Sequence, residues 1–170
     1  GLLFGQLTAN LRFAVGVSRS RERRAYSLFE LTRDLSAALQ SEQVASLGEA
    51  VVQRTFGGEA HVFLMGVNDQ LVMTEPVPEN LEASIADWAF HNGLHAGLGT
   101  STLPSNPWHY VPLKAPMRTR GVLALRPTQP GWLLIPEQMQ QLETLARQIA
   151  IALERVHYVE VAQTAVVQME

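Results

Sequence analysis

Cysteine does not occur in this 170-residue chain. Its absence excludes a disulfide framework, a thiol nucleophile and any cysteine zinc site. It permits a reducing compartment without requiring one. Lysine occurs once, as Lys114, and the formal net charge is -3. A globally basic nucleic-acid binder is therefore excluded, and no nucleic acid is expected as a partner. No apolar run approaches the roughly 20 residues that cross a bilayer. Charged residues make up only 17% and apolar residues 46%. That balance excludes a disordered chain and calls for a core of one domain.

The motifs of common chemistry are missing as well. His91 and His95 stand four apart in the text HNGLH, which lacks the Glu of a metalloprotease helix and has Gly93 between them. Asp87, one turn before His91, reads as a surface pair. Gly97-Leu98-Gly99-Thr100-Ser101 is glycine-rich but is neither GxGxxG nor GK[ST], so it reads as a loop that needs glycine dihedrals. Ser101, Thr102 and Ser105 have no base placed beside them. His157, in His157-Tyr158-Val159-Glu160, lacks the acidic neighbour and the downstream Arg-Thr-Pro of a phosphoacceptor histidine. No catalytic residue, metal ligand or cofactor is expected.

What is present is a sequence of helices and hairpins. The first 24 residues hold five Arg and one Glu, while the remainder carries a balance of -7. The opening Gly1–Ala9 is apolar, without a Met start, and runs into Arg12, Arg19, Arg21, Arg23 and Arg24. Two readings fit: the cytoplasmic exit of a membrane helix whose earlier part is missing, or a helix with a solvated basic face. Leu28, Leu31, Leu35 and Ala38 mark a helix over 18–40. Ser41 reads as the N-cap of a second helix ending at Phe56-Gly57-Gly58. Residues 60–65 and 71–74 form a hairpin around Asn68-Asp69, and a third helix over 81–92 stops at Asn92-Gly93. Residues 93–107 form a long loop. Strands 108–113 and 119–126 follow, and 131–135 is a candidate fifth strand. Pro136 opens a final helix that meets no further Pro or Gly before Glu170. Its stripe of Leu142, Leu145, Ile149, Ala152, Val156 and Val159 continues through Ala162, with a doubled spacing of three that resembles a stammer.

Hairpins on either side of a helix imply an α+β fold, an antiparallel sheet with helices on both faces and long terminal helices. Two stripes admit two readings. Leu28, Leu31, Leu35, Ile149, Val156 and Val159 form the seam of a parallel homodimer, or they cover the sheet of their own chain. Trp88, Phe90, Trp108 and Tyr110 line a pocket beside the 93–107 loop, or belong to the core.

The order of elements resembles a GAF domain, a sensing module related to PAS. Particular runs are similar to the cytoplasmic GAF segment of the KdpD family of sensor histidine kinases. They are Arg21-Glu22-Arg23-Arg24 leading into Leu28–Leu35, then Ala96–Pro104, Tyr110–Leu113, Arg120–Leu125, and the close from Val159 to Glu170. The resemblance implies a GAF-like (PAS-related) fold and a regulatory module that is itself no enzyme. It implies a juxtamembrane segment at 1–20, the GAF domain at 21–158 and a helical linker at 159–170 toward a kinase core. It further implies a homodimer through the terminal helices, a response regulator as partner of the parent kinase, and a place on the cytoplasmic side of an inner membrane. Potassium limitation or osmotic stress would be the parent's stimulus. The alternative is a stand-alone sensor that binds an unknown small ligand. The NKxnFxxxDE-type signature of cyclic-nucleotide GAF domains and the cysteine of bilin-binding ones are both absent.

Overall fold

The computed structural model describes residues 22, 25, 26 and 28–169. The apolar opening, the proposed juxtamembrane segment at 1–20 and all five clustered arginines lie outside the described residues. Helix α1 covers 28–37. It ends three residues short of the expected 40 and one before Ala38, the last member of the stripe, whose N–H closes a turn on the Leu35 carbonyl.

Helix α2 spans Ser41–Phe56 and is capped at Gln40 rather than at Ser41. The reason is Gln43. Its side-chain oxygen accepts from the backbone N–H of Leu39 at 2.9 Å and of Gln40 at 3.2 Å. This satisfies N–H groups that a helix start leaves orphaned. Gly48 lets α2 lie close to the last helix, since a Cβ there would stand 2.8 Å from Ile149 Cδ1.

The sheet has five strands in the order β2-β1-β5-β4-β3. They are β1 Glu59–Met65, β2 Leu71–Val72, β3 Ala96–Gly97, β4 His109–Lys114 and β5 Thr119–Arg126. Every neighbouring pair is antiparallel. β5 is central. Val122 and Ala124 face one core while Leu123 and Leu125 face the other. Both faces are covered, which is why its sequence is a continuous apolar run.

Three expectations are corrected. The strand at 71–74 is only Leu71–Val72. The loop at 93–107 contains β3, which pairs Ala96 with Tyr110 and Gly97 with His109. Residues 131–135 form no strand, because Pro130–Leu134 is a 3-10 helix. Pro130 opens that helix, where its missing N–H costs nothing.

Helix α3, Ala83–Asn92, lies on one face with Ile85, Ala89 and Phe90 buried against Phe63, Val122 and Ala124. Helix α4, Pro136–Met169, lies on the other with α1 and α2. Leu31, Leu35, Phe56, Val62, Leu123, Leu142, Ile149 and Val156 share that larger core. The 34 residues of α4 extend about 50 Å. The helix is packed as far as Val156 and exposed from Tyr158 to Val167.

Candidate functional site

Trp108 and Tyr110 have no exposed surface, Phe90 is buried, and Trp88 is half-buried against the same core. The polar atoms of Trp108 and Tyr110 are bonded within the chain. Asn106 is the centre of this network. Its Oδ1 accepts from Trp108 N–H at 2.9 Å and from the Tyr110 hydroxyl at 3.2 Å. Its Nδ2 donates to the Asn80 carbonyl at 3.1 Å. The Tyr110 hydroxyl in turn accepts from Glu82 N–H, and Trp108 Nε1–H donates to the Glu79 carbonyl. Burial raises the Tyr110 hydroxyl above its usual range, opposed by the Glu82 N–H bond. The loop before β4 is thus stitched to the lead-in of α3. Nothing in the sequence beyond a turn-forming Asn-Pro marked Asn106 as the stitch.

The seam residues are placed in their own chain. Leu31, Leu35, Ile149 and Val156 are buried between the helices and the sheet, and Leu28 packs against them. Val159 stands on the exposed length of α4. A helix covering a sheet shows the same spacing of three and four as a coiled-coil seam, which is why the two readings looked alike.

The histidines pair differently from their spacing. His91 Nδ1 lies 2.8 Å from the Asp87 backbone carbonyl, not from His95. His95 meets His109, with Nδ1 at 2.9 Å from Nε2. His109 Nδ1 in turn lies 2.6 Å from the Leu98 carbonyl. A carbonyl only accepts, so His109 carries its proton on Nδ1. Burial first, opposed by that bond, pushes His109 down to about 4. His95 is lowered as well, by burial and then by Lys114. The outer nitrogen of His95 stands 3.6 Å from Glu143 Oε1 on α4.

Two contacts fasten α4 where it leaves the domain. Arg120 Nε on β5 donates to Glu154 Oε2 at 2.9 Å. The two residues are 5% and 7% exposed. The other Glu154 oxygen accepts from Met117 N–H, and the Arg120 guanidinium lies 5.5 Å from the Tyr158 ring centre. One residue on, Arg155 Nη2 donates to the Leu35 carbonyl at 2.6 Å and the Ala38 carbonyl at 3.1 Å. A cation on the last carbonyls of α1 also suits the negative end of that helix. Arg155→Ala is expected to cost about 1 kcal/mol in urea unfolding and to speed amide exchange over 28–37 above the rest. Unchanged protection there would show that the bond does not hold α1.

Residues 50–155 match the family model described as GAF domain. The chain belongs to the GAF family. This GAF domain is 36% identical over 160 residues to the sensor protein KdpD of Escherichia coli strain K12, covering 91% of this chain and 18% of that protein. It is 27% identical over 164 residues to the sensor protein KdpD of Clostridium acetobutylicum, covering 90% of this chain and again 18% of that protein. The chain therefore spans less than a fifth of the length of these curated relatives. Among solved structures, it is similar to the native GAF domain of the potassium sensor histidine kinase KdpD from Escherichia coli. That match has a TM-score of 0.75 and 32% identity, over 82% of this chain and 99% of the other. A GAF domain from an Acinetobacter phosphoenolpyruvate-protein phosphotransferase matches with a TM-score of 0.62 at 14% identity, over 81% and 97%, and shares the fold alone. The α+β GAF fold expected from the sequence is the one observed.

Among the described residues, no three His, Asp or Glu side chains are grouped to hold a metal ion. None of the described helices is long and apolar enough to cross a membrane.

Proposed function

We propose that this GAF domain is the regulatory module of a membrane-bound sensor histidine kinase of the KdpD kind, relaying signal through its terminal helices. In this reading 1–20 is juxtamembrane, 21–158 is the sensory domain and 159–170 is a linker to the kinase core. The parent kinase would face the cytoplasm from the inner membrane, respond to potassium limitation or osmotic stress, and phosphorylate a response regulator. The fragment itself would catalyse nothing.

The observation that carries the reading is the path of α4. It is bound into the core through Val156 and then continues exposed, with Tyr158, Val159, Val161 and Val166 on its surface. Val159 and Val166 are one heptad apart, which suits a parallel homodimer seam beyond the domain. Arg155 ties the end of α1 to the last buried turn of α4, so a movement of either helix is felt by the other. Two packings differing by a few kcal/mol would suffice as a switch.

The test is a chimera in which this chain replaces the GAF domain of Escherichia coli KdpD. Response-regulator phosphorylation is followed as potassium is lowered. Inserting four residues between Val159 and Ala162 is expected to alter basal phosphorylation. Inserting seven restores the helical phase and the response. Indifference to both insertions would overturn the relay. The stand-alone sensor reading has one observation in its favour, a small half-open cleft of mixed polar and apolar lining at the edge of the sheet.

A further inference from the structure

Beyond Tyr110 the outer edge of β4 has no strand beside it among the described residues, because β3 ends there. A cleft of about 170 Å³ opens at this edge. Gly93 and His95 approach from the end of α3, Val111, Pro112 and Lys114 from β4, and Glu143, Ala146 and Arg147 from α4. Its volume falls below the roughly 300–1,000 Å³ of sites for drug-sized ligands, so any occupant is small.

The cleft gathers groups of two chemical kinds, acceptors and cations. Among the acceptors, the hydrogen-bond chain fixes a tautomer. His109 gives its Nδ1 proton to the Leu98 carbonyl, so its Nε2 is bare and accepts from His95 Nδ1–H. Neutral His95 then has no proton on Nε2. That lone pair stands 3.6 Å from the Glu143 carboxylate. Two acceptors side by side call for a donor between them. Beside them are the cations Lys114 and Arg147, neither of which has an ion-pair partner among the described residues. Lys114 is held over the end of α3. A Cβ at Gly93 would stand 3.3 Å from its Nζ. Val111, Pro112 and Ala146 supply apolar surface among these groups.

We propose that this cleft binds a small zwitterion of the amino-acid type, its ammonium held by His95 Nε2 and Glu143 and its carboxylate by Lys114 and Arg147. No single-ended ion uses all four groups. The site joins the sheet edge to α4, so an occupant would bias how the helix sits on the sheet. The four aromatic residues singled out in the sequence do not line it. The inference goes beyond the proposed relay and is tested on this chain alone, so its failure leaves the chimera test untouched.

The experiment is titration of the ¹⁵N-labelled chain with glycine and alanine, against acetate and methylammonium at equal ionic strength. Saturable shifts are expected at the amides of Gly93, His95 and Lys114, with the zwitterions about tenfold tighter than either single-ended ion. Lys114→Gln and Glu143→Gln should each weaken binding about tenfold, the loss of one charge-assisted contact. Both side chains are exposed, so the variants keep the fold. Acidification should also weaken binding. Protonated His95, backed by neutral His109 and flanked by Lys114 and Arg147, would turn its Nε2–H to Glu143 and occupy both acceptors. Acetate binding as tightly as alanine would reduce the cleft to a plain anion site and overturn the proposal. So would the absence of saturation with either amino acid, or full binding by a chain carrying both Lys114→Gln and Glu143→Gln.

Discussion

Arg120→Ala is expected to destabilise this domain by about 3–5 kcal/mol, the usual cost of removing one partner from a buried ion pair. The cost is not the strength of the bond. It is the penalty of leaving the Glu154 carboxylate in a place with little water, where only the Met117 N–H still serves it. Glu154→Ala should cost a similar amount, because it strands a guanidinium whose remaining neighbour is the face of Tyr158. The double change Arg120→Met with Glu154→Leu should recover most of the loss, since no charge is then left buried. Urea unfolding of the four proteins measures each of these differences. If either single variant loses less than about 1 kcal/mol, the pair is hydrated in solution and contributes like a surface one. The functional reading adds a further expectation. The pair joins β5 to α4 two residues before the helix's last buried position, Val156. The apolar double variant should therefore keep its stability but allow α4 to rotate on the sheet. In the chimera it should shift basal phosphorylation while the domain remains folded.

The elements that could be read from the sequence are those whose partners are generic. β5 is an apolar run because both its faces are covered, and any two cores would have left the same trace. The stops at Gly57 and Gly93 were legible because each residue has positive φ, where an L side chain is strained. The stripes of α1 and α4 predicted helices and an apolar face correctly. They did not say what the face meets. Ile149 buried against α2 and the sheet, and Ile149 in a dimer seam, require the same spacing. The residues that distinguish the two are Val159, Val161 and Val166, which are apolar and stand exposed on α4 past its last buried position.

The candidate sites were less legible. His95 meets His109 across 14 positions and Arg120 meets Glu154 across 34. Contacts of that separation leave no periodic signal in one sequence. The only local hint was composition. Lys114 is the single lysine, and Glu143 and Arg147 share one face of α4 at a spacing of four. The short β3 was hidden for a different reason. Two residues are too few to alternate, and its register is set by pairing with β4 rather than by its own side chains. The family resemblance supplied the fold where periodicity could not, but it did not place these polar pairs.

Acid should unfold this domain earlier than its carboxylates alone would. His109 has no exposed surface and is pushed down to about 4 by burial, against about 6.5 for a free imidazole. The folded state therefore binds fewer protons than the unfolded chain between those values. Stability falls as pH drops below about 6.5, and the fall from this residue ends near 4, where the folded form also takes the proton. The full difference is roughly 3 kcal/mol. His95, lowered in the same direction, adds to the slope. Glu49 works the other way. Burial raises its carboxyl despite the Val62 N–H bond, so the folded state holds that proton more readily and gains stability on acidification. The two signs make the total slope a poor measure of His109, and the comparison must be with a variant. His109→Gln keeps a side chain able to donate toward the Leu98 carbonyl and cannot be protonated. It should be less stable than the parent at pH 7, where neutral His109 fits its site. Its denaturation free energy should then decline less steeply between pH 6.5 and 4, by about one proton's worth of slope. If parent and variant lose stability in parallel through that window, His109 is protonated in the folded state and the buried neutral imidazole pair is wrong.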